Sequence, residues 1–320
     1  MYKPATAILL LVANAFLIRV LNAQKEQRPT YKVSVEMVVL TFNVTDGKGN
    51  PVTGLSPADV RISEDGIPQR IVSFAEGSEV ALRPEHSALS AGTSVFILFD
   101  TSNNMYRVFP YVYDSIAEFV RRLDPADSVA IYTFSRNLFR AARLTADHIQ
   151  ARAGLRNAVA GDDTALFNAI LLTLRDAATV PGRKAVVVFS NGRDNTSMVS
   201  PSDVCRVAED EGIPVYIIST KDESTDRDLT TALEWLTTRT GGKLYAGRTW
   251  QTQASAFASV REEIHSSYTA CYYPAANPNG GFRNINVEFL NAGGKSWHVR
   301  ARAGYDAHKR TSQEQAGRGN

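Results

Sequence analysis

Asp100, Ser102 and Asn104 are short oxygen-bearing residues at alternate positions, directly after the unbroken apolar run Val95-Phe96-Ile97-Leu98-Phe99. Carboxylate, hydroxyl and amide oxygens together suit a hard divalent cation such as Mg²⁺. The run before them is too short for a helix and reads as a strand buried on both faces, as in a parallel sheet. In open α/β sheets ligands bind just past the carboxyl ends of such strands. An Asp/Ser/Asn cluster is also the ordinary composition of a turn, so the rest of the chain must decide between the two.

Catalytic chemistry finds little support. There is no G-x-S-x-G and no phosphate-binding G-x-x-x-x-G-K-[ST]. The five histidines are scattered over a linker, helices, a late strand and the tail, and none has a serine or cysteine placed for a triad. No Cys/His spacing suits zinc. Glu262-Glu263 and Asp162-Asp163 read as helix or loop charges. Tyr268, Tyr272 and Tyr273 read as sheet packing. Cys205 falls in a helix and Cys271 in a strand of a different unit, which favours two buried free thiols.

The elements that must position the cluster follow from periodicity. The chain has 320 residues, 44% hydrophobic and 21% charged, with a net charge of +2. That is enough for two ordinary domains. The charge is too small to argue for nucleic acid as a partner. Residues 94–266 alternate apolar strands (94–99, 128–134, 184–190, 213–219) with helical patterns, which gives a doubly wound, mainly parallel sheet. Residues 31–74 and 267–303 instead show period-2 alternation punctuated by glycine turns, the mark of antiparallel strands. Neither flank makes a stable unit alone. The economical solution is one smaller antiparallel β-sandwich, built from 31–78 and 267–306, with the α/β domain of 92–266 inserted into it. Residues 307–320 read as a disordered tail.

The N-terminus has the pattern of an export signal: Lys3, then a largely apolar run from Ala5 to Ala15, broken at Arg19. Cleavage after Ala23 or after Ala15 and retention as an anchor are the alternatives. Removal of 1–23 leaves a mature chain with no integral membrane segment, in the periplasm, at the cell surface or secreted.

Asp100-Thr101-Ser102-Asn103-Asn104 resembles the first metal-site loop, D-x-S-x-S, of the von Willebrand factor A domain, with Asn104 for the last Ser. Gly161-Asp162-Asp163-Thr164-Ala165-Leu166-Phe167-Asn168-Ala169-Ile170 is similar to the second loop, which supplies a threonine. Ser190-Asn191-Gly192 is similar to the third, S-D-G, with Asn191 for the acid. The flanks, with Glu64-Asp65-Gly66-Ile67-Pro68-Gln69 and the R-x-G-Y close Arg302-Ala303-Gly304-Tyr305, resemble the VWFA-related, acidobacterial-type proteins. The resemblance implies a non-enzymatic module that binds protein. It would do so through a cation (Mg²⁺, or Mn²⁺ or Ca²⁺) held by Asp100, Ser102, Asn104, Thr164 and Asn191, with one position left for an acidic side chain of the partner. Asn191 removes a negative charge, which weakens cation binding; Asp163 or Asp194 could compensate. The rival readings are a structural or assembly protein whose site has lost its metal, and a hydrolase with an unrecognised site.

Overall fold

The computed structural model describes residues 37–77, 92–103, 105, 109–221, 227–290 and 296–308, without the side chains of 109 and 110. The expected signal segment, the alternation before Met37, most of the linker, the Gly293-Gly294 turn and the tail from Lys309 lie outside the described residues.

The inserted part is built on a six-stranded sheet of order β10-β9-β8-β5-β6-β7. Its strands are β5 (Thr93–Asp100), β6 (Ser128–Phe134), β7 (Leu138–Thr145), β8 (Arg183–Ser190), β9 (Val215–Ser219) and β10 (Leu244–Ala246). All neighbours are parallel except β6 and β7. The unbroken apolar runs are explained by two-sided cover. Val95, Ile97 and Phe99 face a layer formed by α1 (Phe109–Arg122), α2 (His148–Gly154) and α6 (Trp250–His265). Phe96 and Leu98 face α3 (Leu166–Ala178), α4 (Pro201–Glu211) and α5 (Arg227–Thr240). Burial of one such side chain contributes about 1.5–3 kcal/mol. The five consecutive buried apolar residues of β5 therefore hold the middle of the sheet more firmly than the short edge β10 can be held.

The flanking strands form the two sheets of one sandwich. The first has the order β13-β1-β11-β4 and the second β14-β12-β2-β3. The strands before the insertion are β1 (Val38–Asp46), β2 (Val60–Glu64), β3 (Ile67–Pro68) and β4 (Ile71–Glu76). Those after it are β11 (Tyr268–Tyr272), β12 (Phe282–Phe289), β13 (Trp297–Ala301) and β14 (Gly304–Asp306). Early and late strands interleave: β1 lies between β11 and β13, and β12 pairs with β2. Their inner faces share one core that includes Leu40, Phe42, Ile62, Tyr268, Tyr272, Val287 and Tyr305. Tyr273, expected to pack as well, is half exposed.

The Arg302-x-Gly304-Tyr305 close has a physical explanation residue by residue. Arg302 is buried and donates to the carbonyl oxygens of Glu209, at the end of α4, and of Val39 in β1. Gly304 lies so close to β12 that a Cβ would stand 2.1 Å from the Arg283 carbonyl oxygen. The Tyr305 hydroxyl donates to Glu64, a fully buried carboxylate that also accepts from Tyr272 and Arg283. Such a carboxylate is tolerable only because its oxygens are paired. Glu263, expected to be a plain helix charge, is another link: it accepts from Arg300 of β13 and from Tyr245 of β10. Cys205 and Cys271 are buried and unpaired, in α4 and β11.

Candidate metal centre

The chain leaves β5 toward β6 on one side, and β8 is its neighbour on the other, so the strand order reverses between β5 and β8. A crevice opens at the carboxyl ends of strands at such a point. Asp100 ends β5 and Ser190 ends β8.

Asp100 is fully buried. Its Oδ1 accepts from the Ser102 backbone N–H at 2.9 Å, and its Oδ2 accepts from Ser190 Oγ at 2.6 Å. Burial pushes the carboxyl above its usual range, against the opposing pull of Ser190, Ser102 and the Asn191 backbone N–H. Ser102 is equally buried, and its Oγ, which stands close enough to Asp100 to help lower its carboxyl, makes no well-formed hydrogen bond to any described group. A buried hydroxyl without a well-formed hydrogen bond and a buried carboxylate raised by desolvation are each costly.

The second loop is stitched to the first. Gly161 N–H donates to the Thr101 carbonyl, and Ser102 and Gly161 form a parallel bridge. Thr164 is buried. Its backbone N–H donates to Asn195 Oδ1 at 2.8 Å, and its carbonyl accepts from the N–H groups of Asn195 and Thr196. The backbone of Thr164 is therefore fixed by the third loop. Asn191 begins that loop, and its Oδ1 accepts from the Arg193 N–H at 2.9 Å.

Asp100, Ser102, Thr164 and Asn191 thus lie on adjoining loops joined by hydrogen bonds. Asn104 lies outside the described residues. The two nearby acids are engaged elsewhere. Asp163 pairs with Arg136 and accepts from Asn195. Asp194 accepts from the Phe167 N–H at the start of α3 and from the Ser197 N–H. Ser190, the hydroxyl bonded to Asp100, belongs to the expected third loop but is not among the residues expected to hold a cation. The signal for its role was its place at the end of a second buried strand.

The donor set is one carboxylate with hydroxyl and amide oxygens, and no group of three His, Cys, Asp or Glu residues forms among the described residues. Oxygen donors of this kind fit a hard cation and not a soft one. The fit rests on Ser102 Oγ and Asp100, whose desolvation a cation would offset.

Residues 95–193 match the family profile of the von Willebrand factor type A domain. Among solved structures, the chain is similar to a conserved hypothetical protein, BatB, from Bacteroides thetaiotaomicron, at 20% identity over 54% of this chain and 97% of that one, TM-score 0.45. A von Willebrand factor type A protein from Catenulispora acidiphila is 12% identical over 85% of this chain and 75% of its own, TM-score 0.44. Proximal thread matrix protein 1 from the mussel byssus, solved with a zinc-occupied MIDAS motif, is 14% identical over 54% of this chain and 48% of its own, TM-score 0.45. No curated protein sequence matches the chain.

Proposed function

We propose, from the premise that residues 95–193 form a von Willebrand factor type A domain, that this chain is an exported, non-enzymatic binding module. It engages a protein partner at the carboxyl edge of the six-stranded sheet. Asp100, Ser102 and Thr164, with Asn104 and Asn191 by resemblance, hold a divalent cation there. The cation, when bound, supplies positive charge that attracts an acidic side chain of the partner. Asp100 contributes the one carboxylate of the set, Ser190 orients it, and the Thr164 backbone fastens the second loop to the third.

The observation that carries this reading is the Ser102 hydroxyl, enclosed beside a fully buried carboxylate and without a well-formed hydrogen bond among the described residues. Thermal unfolding at increasing Mg²⁺ or Mn²⁺ tests it. A ligand that binds only the native state stabilises it by about 2.7 kcal/mol at a hundredfold excess over Kd. Unfolding that ignores millimolar Mg²⁺ and Mn²⁺ favours the second reading, a scaffold that keeps the fold without the ion. That reading is motivated by Asn191, whose side-chain oxygen is turned to Arg193. Export rests on the N-terminal pattern alone. Terminal sequencing of cell-envelope or secreted material should find a start within residues 14–25; a cytoplasmic protein beginning at Met1 contradicts it.

A further inference from the structure

Asn191 is followed by Gly192, a residue without a Cβ held at φ +78°. Glycine lets the backbone nitrogen approach the preceding side chain without steric hindrance. Around this dipeptide three contacts are arranged in a particular sense. The Gly192 N–H donates to Ser190 Oγ at 3.0 Å. The Ser190 hydroxyl directs its own proton to Asp100 Oδ2 at 2.6 Å, which leaves an oxygen lone pair facing Gly192. The Arg193 N–H donates to Asn191 Oδ1 at 2.9 Å, where it polarises the amide carbonyl and meets the charge that develops on attack. Nucleophile, proton acceptor and oxyanion donor are therefore supplied by four consecutive residues, 190–193, with Asp100 behind them.

We propose that Asn191 is a self-modification site, at which the Gly192 nitrogen attacks Asn191 Cγ and converts the amide to a carboxylate. The bond formed is Gly192 N to Asn191 Cγ, and the bond broken is Asn191 Cγ to Nδ2. The proton on the Gly192 nitrogen passes to Ser190 Oγ as the serine's own proton passes to Asp100 Oδ2; the departing nitrogen takes a proton from water, and the hydroxide left behind is neutralised when Asp100 gives its proton up again, so that ammonia is released and a cyclic imide remains. Water then opens the imide at either carbonyl, to aspartate or to its isoaspartyl isomer. The net change is one water taken up and one ammonia lost, with no redox step. Asn191 is 8% exposed, and the hydrolytic water enters through that opening.

The chain contains its own reference. Asn279-Gly280 is the other Asn-Gly pair. The amide nitrogen of Asn279, which would have to depart, donates to Asp65 Oδ2 at 2.9 Å and to the Phe282 carbonyl at 2.8 Å. The fold thus assists conversion at Asn191 and holds the leaving group in place at Asn279.

The consequence for binding rests on the proposed cation site. A carboxylate at 191 adds a second negative charge at the loops that carry Asp100, which should tighten Mg²⁺ binding by about tenfold or more. The amide form is then the weak state and the converted form the strong one, an irreversible maturation set by time and pH.

The test uses the full chain aged at mildly alkaline pH and physiological temperature, folded and in guanidinium chloride, with peptide mass spectrometry. Conversion appears as a gain of about 1 Da at position 191. Asn191 should convert at least about tenfold faster in the folded protein than in the unfolded one, below the range usual for a positioned acid–base group. Asn279 should convert more slowly folded than unfolded. Ser190→Ala should remove the advantage at 191 and leave Asn279 unchanged, and Ser190→Thr should retain it. A folded protein that keeps its Asn191 amide, or loses it no faster than the unfolded chain, overturns the proposal whether or not Ser190→Ala folds. Calorimetry with Mg²⁺ on fresh and aged protein separates the two readings: conversion without tighter binding leaves the modification standing and removes the cation site.

Discussion

The guanidinium of Arg302 donates to the Glu209 carbonyl oxygen at 2.6 Å, so the last part of the sandwich is fastened to the C-terminal end of helix α4. A cation at a helix C-terminus is favoured by the helix dipole and satisfies carbonyls that have no partner within the helix. The same side chain reaches Val39 in β1 and stacks over Tyr305. Arg302→Ala should cost about 2–4 kcal/mol, because it strands buried carbonyls as well as losing packing. Chemical denaturation measures it. Arg302→Lys should recover little, since an ammonium cannot span the α4 and β1 carbonyls as the planar fork does.

The metal loops give a graded series. Asp100→Ala should abolish cation binding, because it removes the carboxylate on which the site depends. Ser102→Ala should weaken it less, by removing one neutral donor. Asn191→Asp should tighten it by about tenfold or more, since even a heavily screened charge pair is worth about 1.4 kcal/mol. Calorimetry with Mg²⁺ on the four proteins decides. Equal binding by wild type and Asp100→Ala would place the site elsewhere.

Acidity should act on Asp100 and Asp65 in opposite senses. Asp100 is raised by burial. Between its unfolded value and that raised value the folded state holds more protons, so stability falls as pH climbs through the window. Without cation, Asp100→Asn should therefore unfold at a higher temperature than wild type at neutral pH, and lose that advantage in acid. Asp65 is lowered to about 2 by the Asn284 backbone N–H and the amides of Asn279, Asn277 and Asn284. Its contribution is present above the ordinary carboxylate range and is lost as pH falls toward about 2. Asp65→Asn should flatten the acid limb of the pH–stability curve, and thermal unfolding across pH checks both signs.

A fragment covering residues 24–80 should be unfolded. Its β1 pairs on both sides with strands from beyond the insertion, β11 and β13, and its β4 pairs with β11. Cut off, β1 exposes two unpaired edges and its share of a core that β11, β12 and β14 complete. Circular dichroism and amide exchange on the fragment measure this. A cooperatively folded monomer would mean that the early strands pair among themselves.

The α5–β10 connection offers a steric check. Gly241 sits at φ +84°, and a Cβ on Gly242 would stand 2.0 Å from the Val215 carbonyl oxygen. Gly242→Ala must push β9 away and should cost about 1–3 kcal/mol, as read by thermal unfolding. No loss of stability would show that β9 yields freely.

What the sequence determined by itself is what local patterning encodes. A buried parallel strand must be apolar on both faces, so Val95–Phe99 announced its place in the sheet and Asp100 its end. Period-2 alternation and glycine turns marked the flanks, and the pairing of Asp100 with Ser102 follows from two-residue spacing at a strand end. Tertiary structure decided which groups from distant parts of the chain meet. Ser190 is ninety positions from Asp100, and nothing in its neighbours says that its hydroxyl points there. Glu263 looked like a solvated helix charge until β10 and β13 arrived on it. Asp163 and Asp194 looked free to hold a cation until Arg136, Asn195 and the start of α3 claimed them. The physical reason is common to all three. Strand and helix periods are set by residues a few positions apart, whereas a polar side chain's partner is fixed only when the packed elements leave it one place to find a hydrogen bond.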